Sequence, residues 1–275
     1  MILKSFQPAS VFLLTFFLFT ATGFAQGDLM IMPKRLVFDG SQRSQEINLV
    51  NTGSDSATYA ISIIQYKMTE SGNFEEVTEP EEGQRFATDF LRYYPRRVVL
   101  GPNEAQTVRI QLTKTGNLEQ GEYRSHIYFR AVEKQTAMGE EDQNEAEGIS
   151  INIKTVFGIS IPVIIREGAS TTAIEVSQLE LLDRDPENPL LSMVINRTGN
   201  MSVYGELRVE HISPDGLKTE IGKVRGLAVY TPNTKRNFAF KLQNTEMLDL
   251  NKGKLNITYK TEEGKVLGES QFNLN

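Results

Sequence analysis

The sequence predicts an all-β protein, with two tandem immunoglobulin-like β-sandwich domains following an export signal. Three observations predict it. Short runs rich in Val, Ile, Thr, Tyr and Phe alternate with polar residues and stop at Gly, Pro, Asn or Ser. Beyond the first 25 residues no stretch sustains helical spacing over 12 positions. The second half of the chain also repeats the turn-and-strand order of the first.

The opening residues are an address. Lys4 supplies a positive start, Val11 to Phe19 form a short apolar run, and Gly23 and Ala25 stand where a small-residue cleavage site needs them. The apolar run falls short of the roughly 20 residues that a spanning helix requires, so a cleaved signal peptide over 1–25 is expected and no stable membrane anchor. Cleavage after Ala25 leaves 250 of 275 residues. It removes Lys4 alone among charged residues, so the net charge of -6 becomes -7.

Composition excludes several functions. The chain has no Cys and no Trp, which rules out disulfides, thiolate metal sites, cysteine nucleophiles and antibody-type domains. Its two histidines, His126 and His211, cannot make a three-histidine zinc site and read as structural. The acidic balance opposes nucleic-acid binding, which needs a basic surface. No phosphate loop and no GxSxG motif is present, so neither an enzyme nor a cofactor or metal is expected.

The internal repeat sets the division. Val99 to Asn103 leads into the alternating run Thr107 to Leu112, then Leu118. Val229 to Asn233 leads into Asn237 to Leu242, then Leu248, at a constant offset of 130 from Pro102/Pro232 onward. A second echo joins Asn51-Thr52-Gly53 to Asn196-Arg197-Thr198-Gly199, each closing an apolar stretch. Pro-Asn and Thr-Gly are generic turn formers, but their ordered recurrence favours two related units, 26–167 and 168–275. Isolated helical turns are expected only at Ala87 to Leu91 and Thr245 to Leu248.

Two sections depart from sandwich routine. Glu133 to Gly148 carries six carboxylates and almost no apolar residue, which reads as a solvated loop. After it, Ile149 to Val163 places apolar residues at odd positions except Thr155. At about 3.3 Å per residue these 15 residues would extend roughly 50 Å. One reading is a single long core strand, or two strands split at Gly158. The other is a strand whose early part overhangs the domain and offers Ile149, Ile151 and Ile153 to a partner.

These residues carry a resemblance. Pro33 to Gly40, Ile47 to Gly53, Pro95 to Pro102 with Val108-Arg109-Ile110, and Tyr123 to Phe129 stand in the order and spacing of the periplasmic pilus-assembly chaperones of the chaperone–usher type. The long alternating strand ends in Arg166 directly before the second unit, again as in that family. The resemblance covers nearly the whole exported chain. It implies two domains set in a boomerang with a cleft between them. It further implies a periplasmic location, pilus or surface-fibre subunits as partners, and an outer-membrane usher. In the family an Arg on the first strand grips the subunit's terminal carboxylate, and Arg35 is the matching residue. An edge strand of the chaperone then completes the subunit's sandwich, for which Ile149, Ile151 and Ile153 are the candidates, with Phe157 a possible extension.

One departure stands out. The family's strand usually carries a Lys that shares the carboxylate, and alignment on Arg166 puts Pro162 at that place. Anchoring is then weaker, another cation serves, or the client differs. The acidic loop is long, yet the Cys pair of long-loop members is missing, which marks a divergent relative. A different class of function, an exported structural or adhesive tandem sandwich without chaperone activity, stays open on the residues alone.

Overall fold

The computed structural model describes residues 29–132, 157–183 and 189–274. Its first part is a sandwich of two sheets. One sheet joins β1 (Leu29–Met32), β3 (Ser44–Asn51), β9 (Ala105–Leu112) and β7 (Leu91–Tyr94) in that order. The facing sheet runs β2 (Leu36–Phe38), β11 (Gly158–Glu167), β10 (Gly121–Val132), β4 (Ala57–Ile64) and β8 (Arg97–Leu100). The chain thus begins in one sheet and crosses to the other, where β2 lies parallel to β11. With its other pairings antiparallel, this is immunoglobulin topology.

Alternation builds the core. In β9, Val108, Ile110 and Leu112 turn inward while the intervening residues face water. They meet Phe38, Ile127, Phe129 and Ile161 from the opposite sheet in one cluster. Each such side chain contributes about 1.5–3 kcal/mol by leaving water.

The second sandwich packs β12 (Ala173–Asp183), β13 (Leu190–Thr198) and β16 (Lys235–Lys241) on a sheet ordered β15 (Lys218–Val229), β14 (Val203–Ile212), β17 (Lys254–Thr261) and β18 (Val266–Asn273). Its own cluster includes Leu191, Ile195, Leu207, Val209, Ile257 and Tyr259. The change from the first pair of sheets to the second falls between Glu167 and Ala173.

The sequence echo has a geometric counterpart. Asn51 ends β3 and its amide donates to the Glu104 carbonyl at 3.0 Å; Arg197, near the end of β13, donates to the Thr234 carbonyl at 2.7 Å. Glu104 and Thr234 are separated by the repeat's offset of 130. Gly199 then turns with φ of +85°, where a Cβ would lie 2.5 Å from the Thr171 carbonyl oxygen, so only glycine fits.

Local expectations meet detail here. The turn at Thr88–Phe90 is a single 3-10 turn, and Leu248 closes a turn on the Thr245 carbonyl at 3.0 Å. A further 3-10 turn at Thr115–Asn117 follows Lys114, whose φ is +55°. Strand β11 begins at Gly158 and continues past Val163 to Glu167, so Gly158 marks its start. Ile149, Ile151 and Ile153 lie outside the described residues.

Candidate functional site

The two sandwiches meet through a polar joint and an apolar one. Glu122 on β10 has a fully buried side chain. It accepts hydrogen bonds from Arg166 Nε at 3.2 Å, the Ser202 amide at 3.0 Å and Thr231 Oγ1 at 3.3 Å, and another from Ser202 Oγ. Arg166 also donates to the Ser202 carbonyl at 2.9 Å, and Arg124 to the Thr231 carbonyl at 3.1 Å. Beside this joint, Ile164 and Met68 of the first sandwich pack with Ala228 and Tyr230 of the second. Ile164 lies on the face of β11 opposite the core residues Ile161, Val163 and Ile165, yet it too is fully buried, because the second sandwich covers it.

A hairpin of the first sandwich reinforces the contact. Strands β5 (Tyr66–Met68) and β6 (Phe74–Glu76) pair antiparallel. Asn233 Nδ2 donates to the Met68 carbonyl at 2.6 Å and the Asn237 amide to the Glu70 carbonyl at 2.7 Å. At the hairpin tip Gly72 has φ of +87°, and a Cβ there would come within 2.5 Å of the Arg236 guanidinium. The acidic residues Glu75 and Glu81 are exposed and both pair with Lys67, at 3.5 and 2.7 Å.

Between these joints lies a cleft of about 450 Å³, lined by Lys34, Arg35, Tyr66, Phe74, His126, Ser160 and Pro162 of the first sandwich and by Tyr204 and Tyr230 of the second. Arg35 directly precedes β2. Its guanidinium carbon sits 3.9 Å from the centre of the Tyr204 ring, a cation–π stack. Nη2 reaches the exposed Glu262 carboxylate at 3.4 Å, whereas Nη1 is buried with no hydrogen-bond partner among the described residues. A long contact to an exposed carboxylate contributes little. Deeper in, Arg124 stacks 4.2 Å from the centre of Tyr230. His126 is buried with Arg124 nearby, and burial first, then that charge, pushes its pKa down to about 3. The imidazole is therefore neutral and presents a ring rather than a charge.

Arg35 and the Ser160–Pro162 stretch of β11 are thus brought into one place, and Lys34 stands there with them. Pro162 carries no charge, so the cleft draws its cations from Lys34 and Arg35, just before β2. Phe157 is half-buried, and its carbonyl accepts from the Ala131 amide at 2.9 Å, extending the β10 pairing by one residue. It lies five residues from Pro162, roughly 17 Å along an extended strand, and does not line the cleft. Among the described residues, the outer edge of β11 has a partner only where β2 pairs with Val163–Ile165. Among the described residues no strand pairs with that edge from Gly158 to Pro162.

Sequence reasoning did not reach Lys34, Tyr66, Phe74, Tyr204 or Tyr230. They come from five places in the chain, and only the docking of one sandwich on the other gathers them. The sole hint was the echo that set Tyr230 at the end of a strand beside Thr231-Pro232.

No protein-family model and no curated protein sequence matches the chain. Solved structures do. The class 5 fimbriae chaperone CfaA is 13% identical, with a TM-score of 0.47 over 90% of this chain and 99% of that one. A chaperone–tip adhesin complex of CFA/I fimbriae biogenesis gives 14% identity and 0.46 over 89% and 98%. The CsuC–CsuE chaperone–tip subunit complex of Acinetobacter baumannii gives 12% and 0.44 over 90% and 97%.

Proposed function

We propose that the chain is a divergent periplasmic chaperone of the chaperone–usher type, holding pilus or surface-fibre subunits by lending them a strand. Its units are a signal peptide over 1–25, a first sandwich over 26–167 and a second over 168–275. The observation that carries the reading is Arg35: a guanidinium stacked on Tyr204 in the cleft between sandwiches, with a buried Nη1 that has no partner among the described residues. A terminal carboxylate of a client satisfies that donor, and Lys34 serves as the second cation where Pro162 replaces the expected Lys.

The client's last strand then adds to β11, whose edge from Gly158 to Pro162 has no described neighbour. Ladder hydrogen bonds supply affinity, while Ile149, Ile151, Ile153 and Phe157 set the register by filling the client's groove. The loaded complex passes its client to an outer-membrane usher. Among the described residues no helix is long and apolar enough to cross a membrane.

The test is co-purification of a fibre subunit expressed with this chain. Arg35→Ala is expected to weaken the complex by about 2 kcal/mol, roughly thirtyfold in affinity, since it removes charge-assisted hydrogen bonds. Ile151→Asp is expected to abolish capture by placing a charge in an apolar groove. Retention of the complex by both variants would falsify the strand-lending mechanism.

A further inference from the structure

A carboxylate alone does not account for the shape of this cleft. Its volume of about 450 Å³ is that of a small-ligand site, far larger than two oxygens need. Beyond the two cations its walls are mainly rings. Tyr66 and His126 meet edge to face at 5.0 Å between centres and Phe74 and His126 at 5.9 Å, while Phe74 and Tyr230 are tilted to each other at 6.0 Å. Phe74 remains 46% exposed, so this cluster has an open side.

The geometry points to a pocket for the client's last side chain, and we propose that it selects an aromatic one. The inference rests on the carboxylate-anchoring reading above, because the cations fix which end of the client enters. Arg35 and Lys34 hold the carboxylate at the mouth, and the adjoining ring enters the cleft against Phe74, Tyr66 and Tyr230. Aromatic rings 4.5–7 Å apart favour edge-to-face or offset contact, so a client ring extends an arrangement that an aliphatic side chain only touches. The neutrality of His126 keeps that wall uncharged at neutral pH. The pocket is also held in advance of binding. Phe74 sits on a hairpin whose Met68 and Glu70 carbonyls are tied to Asn233 and Asn237 of the second sandwich, so little ordering is left for the client to impose.

The experiment uses four probes on the exported chain: N-acetyl-Gly-Gly-Phe and N-acetyl-Gly-Gly-Leu, each as free acid and as carboxamide, with binding followed by NMR titration into the millimolar range. The phenylalanine acid is expected to bind at least about threefold more tightly than the leucine acid, the size of a ring contact beyond apolar area. Phe74→Ala is expected to bring that ratio close to one. Equal affinity of the two acids, with both weakened by amidation, overturns the aromatic preference and leaves the carboxylate anchor standing. Binding that ignores amidation overturns the anchor itself, whatever the ring does. Absence of binding by the phenylalanine acid across the titration overturns both.

Discussion

At the scale of single residues, the cleft combines an available guanidinium with one silenced base. Stacking on Tyr204 holds the Arg35 guanidinium in place without consuming its donors. His126, on β10 two strands in from β2, is held neutral by burial and by Arg124. This has a consequence for stability. The folded pKa near 3 lies below the ordinary value of about 6.5, so between these limits the unfolded chain binds a proton that the folded chain refuses. The contribution of His126 is complete above pH 6.5 and shrinks as pH falls, by about 1.4 kcal/mol per unit. Urea unfolding at pH 7 and pH 5 is expected to show a loss of roughly 2 kcal/mol from this group, and His126→Phe is expected to remove that share. Equal losses in the two proteins would place the acid sensitivity elsewhere.

At the scale of elements, β11 has two different jobs along its length. Ile161, Val163 and Ile165 belong to the first core, and Ile164 on the other face belongs to the contact with the second sandwich. The outer edge from Gly158 to Pro162 has no described neighbour. Substitutions should separate these jobs. Ile161→Asp buries an unpaired carboxylate and is expected to destabilise the first sandwich by at least about 3 kcal/mol in denaturant melts, whereas Ile151→Asp is expected to leave the melt nearly unchanged while losing the client. A large stability loss from Ile151→Asp would mean that the upstream residues are core and not client-facing.

The period-two pattern of this run was legible in the sequence, as was the inward face of β9, because a half-buried strand must alternate. The burial of Ile164 was not legible. A residue out of phase with the core face reads as exposed until something packs on it, and what packs here is the second sandwich. The docking of the hairpin β5–β6 was not legible either. Its acidic residues are solvated, but its carbonyls and Gly72 dock on Asn233, Asn237 and Arg236. Backbone acceptors have no sequence signature.

At the scale of the whole molecule, two related sandwiches acquire a property that neither has alone. The repeat announced their kinship, and the matching hydrogen bonds of Asn51 and Arg197 give that echo a physical cause: each fixes the same corner of the fold. Their junction is asymmetric. Glu122 and Arg166 from the first unit meet Ser202 and Thr231 from the second, the hairpin spans the gap, and the cleft is what remains between. Arg35 was identifiable from the motif around it, since its neighbours lie close in sequence. The ring walls were not, because Phe74 and Tyr230 are separated by over 150 residues and converge only on docking.

The claim that joins all three scales is that one client occupies both the cleft and the strand edge. Hydrogen exchange of the chain, alone and with a bound fibre subunit, tests it most directly. The account predicts that amides of residues 149–157 and of the cleft segment 34–36 slow together, by at least about tenfold, as a strand and a carboxylate engage. Protection confined to other surfaces, with both segments exchanging as in the unbound chain, would contradict it.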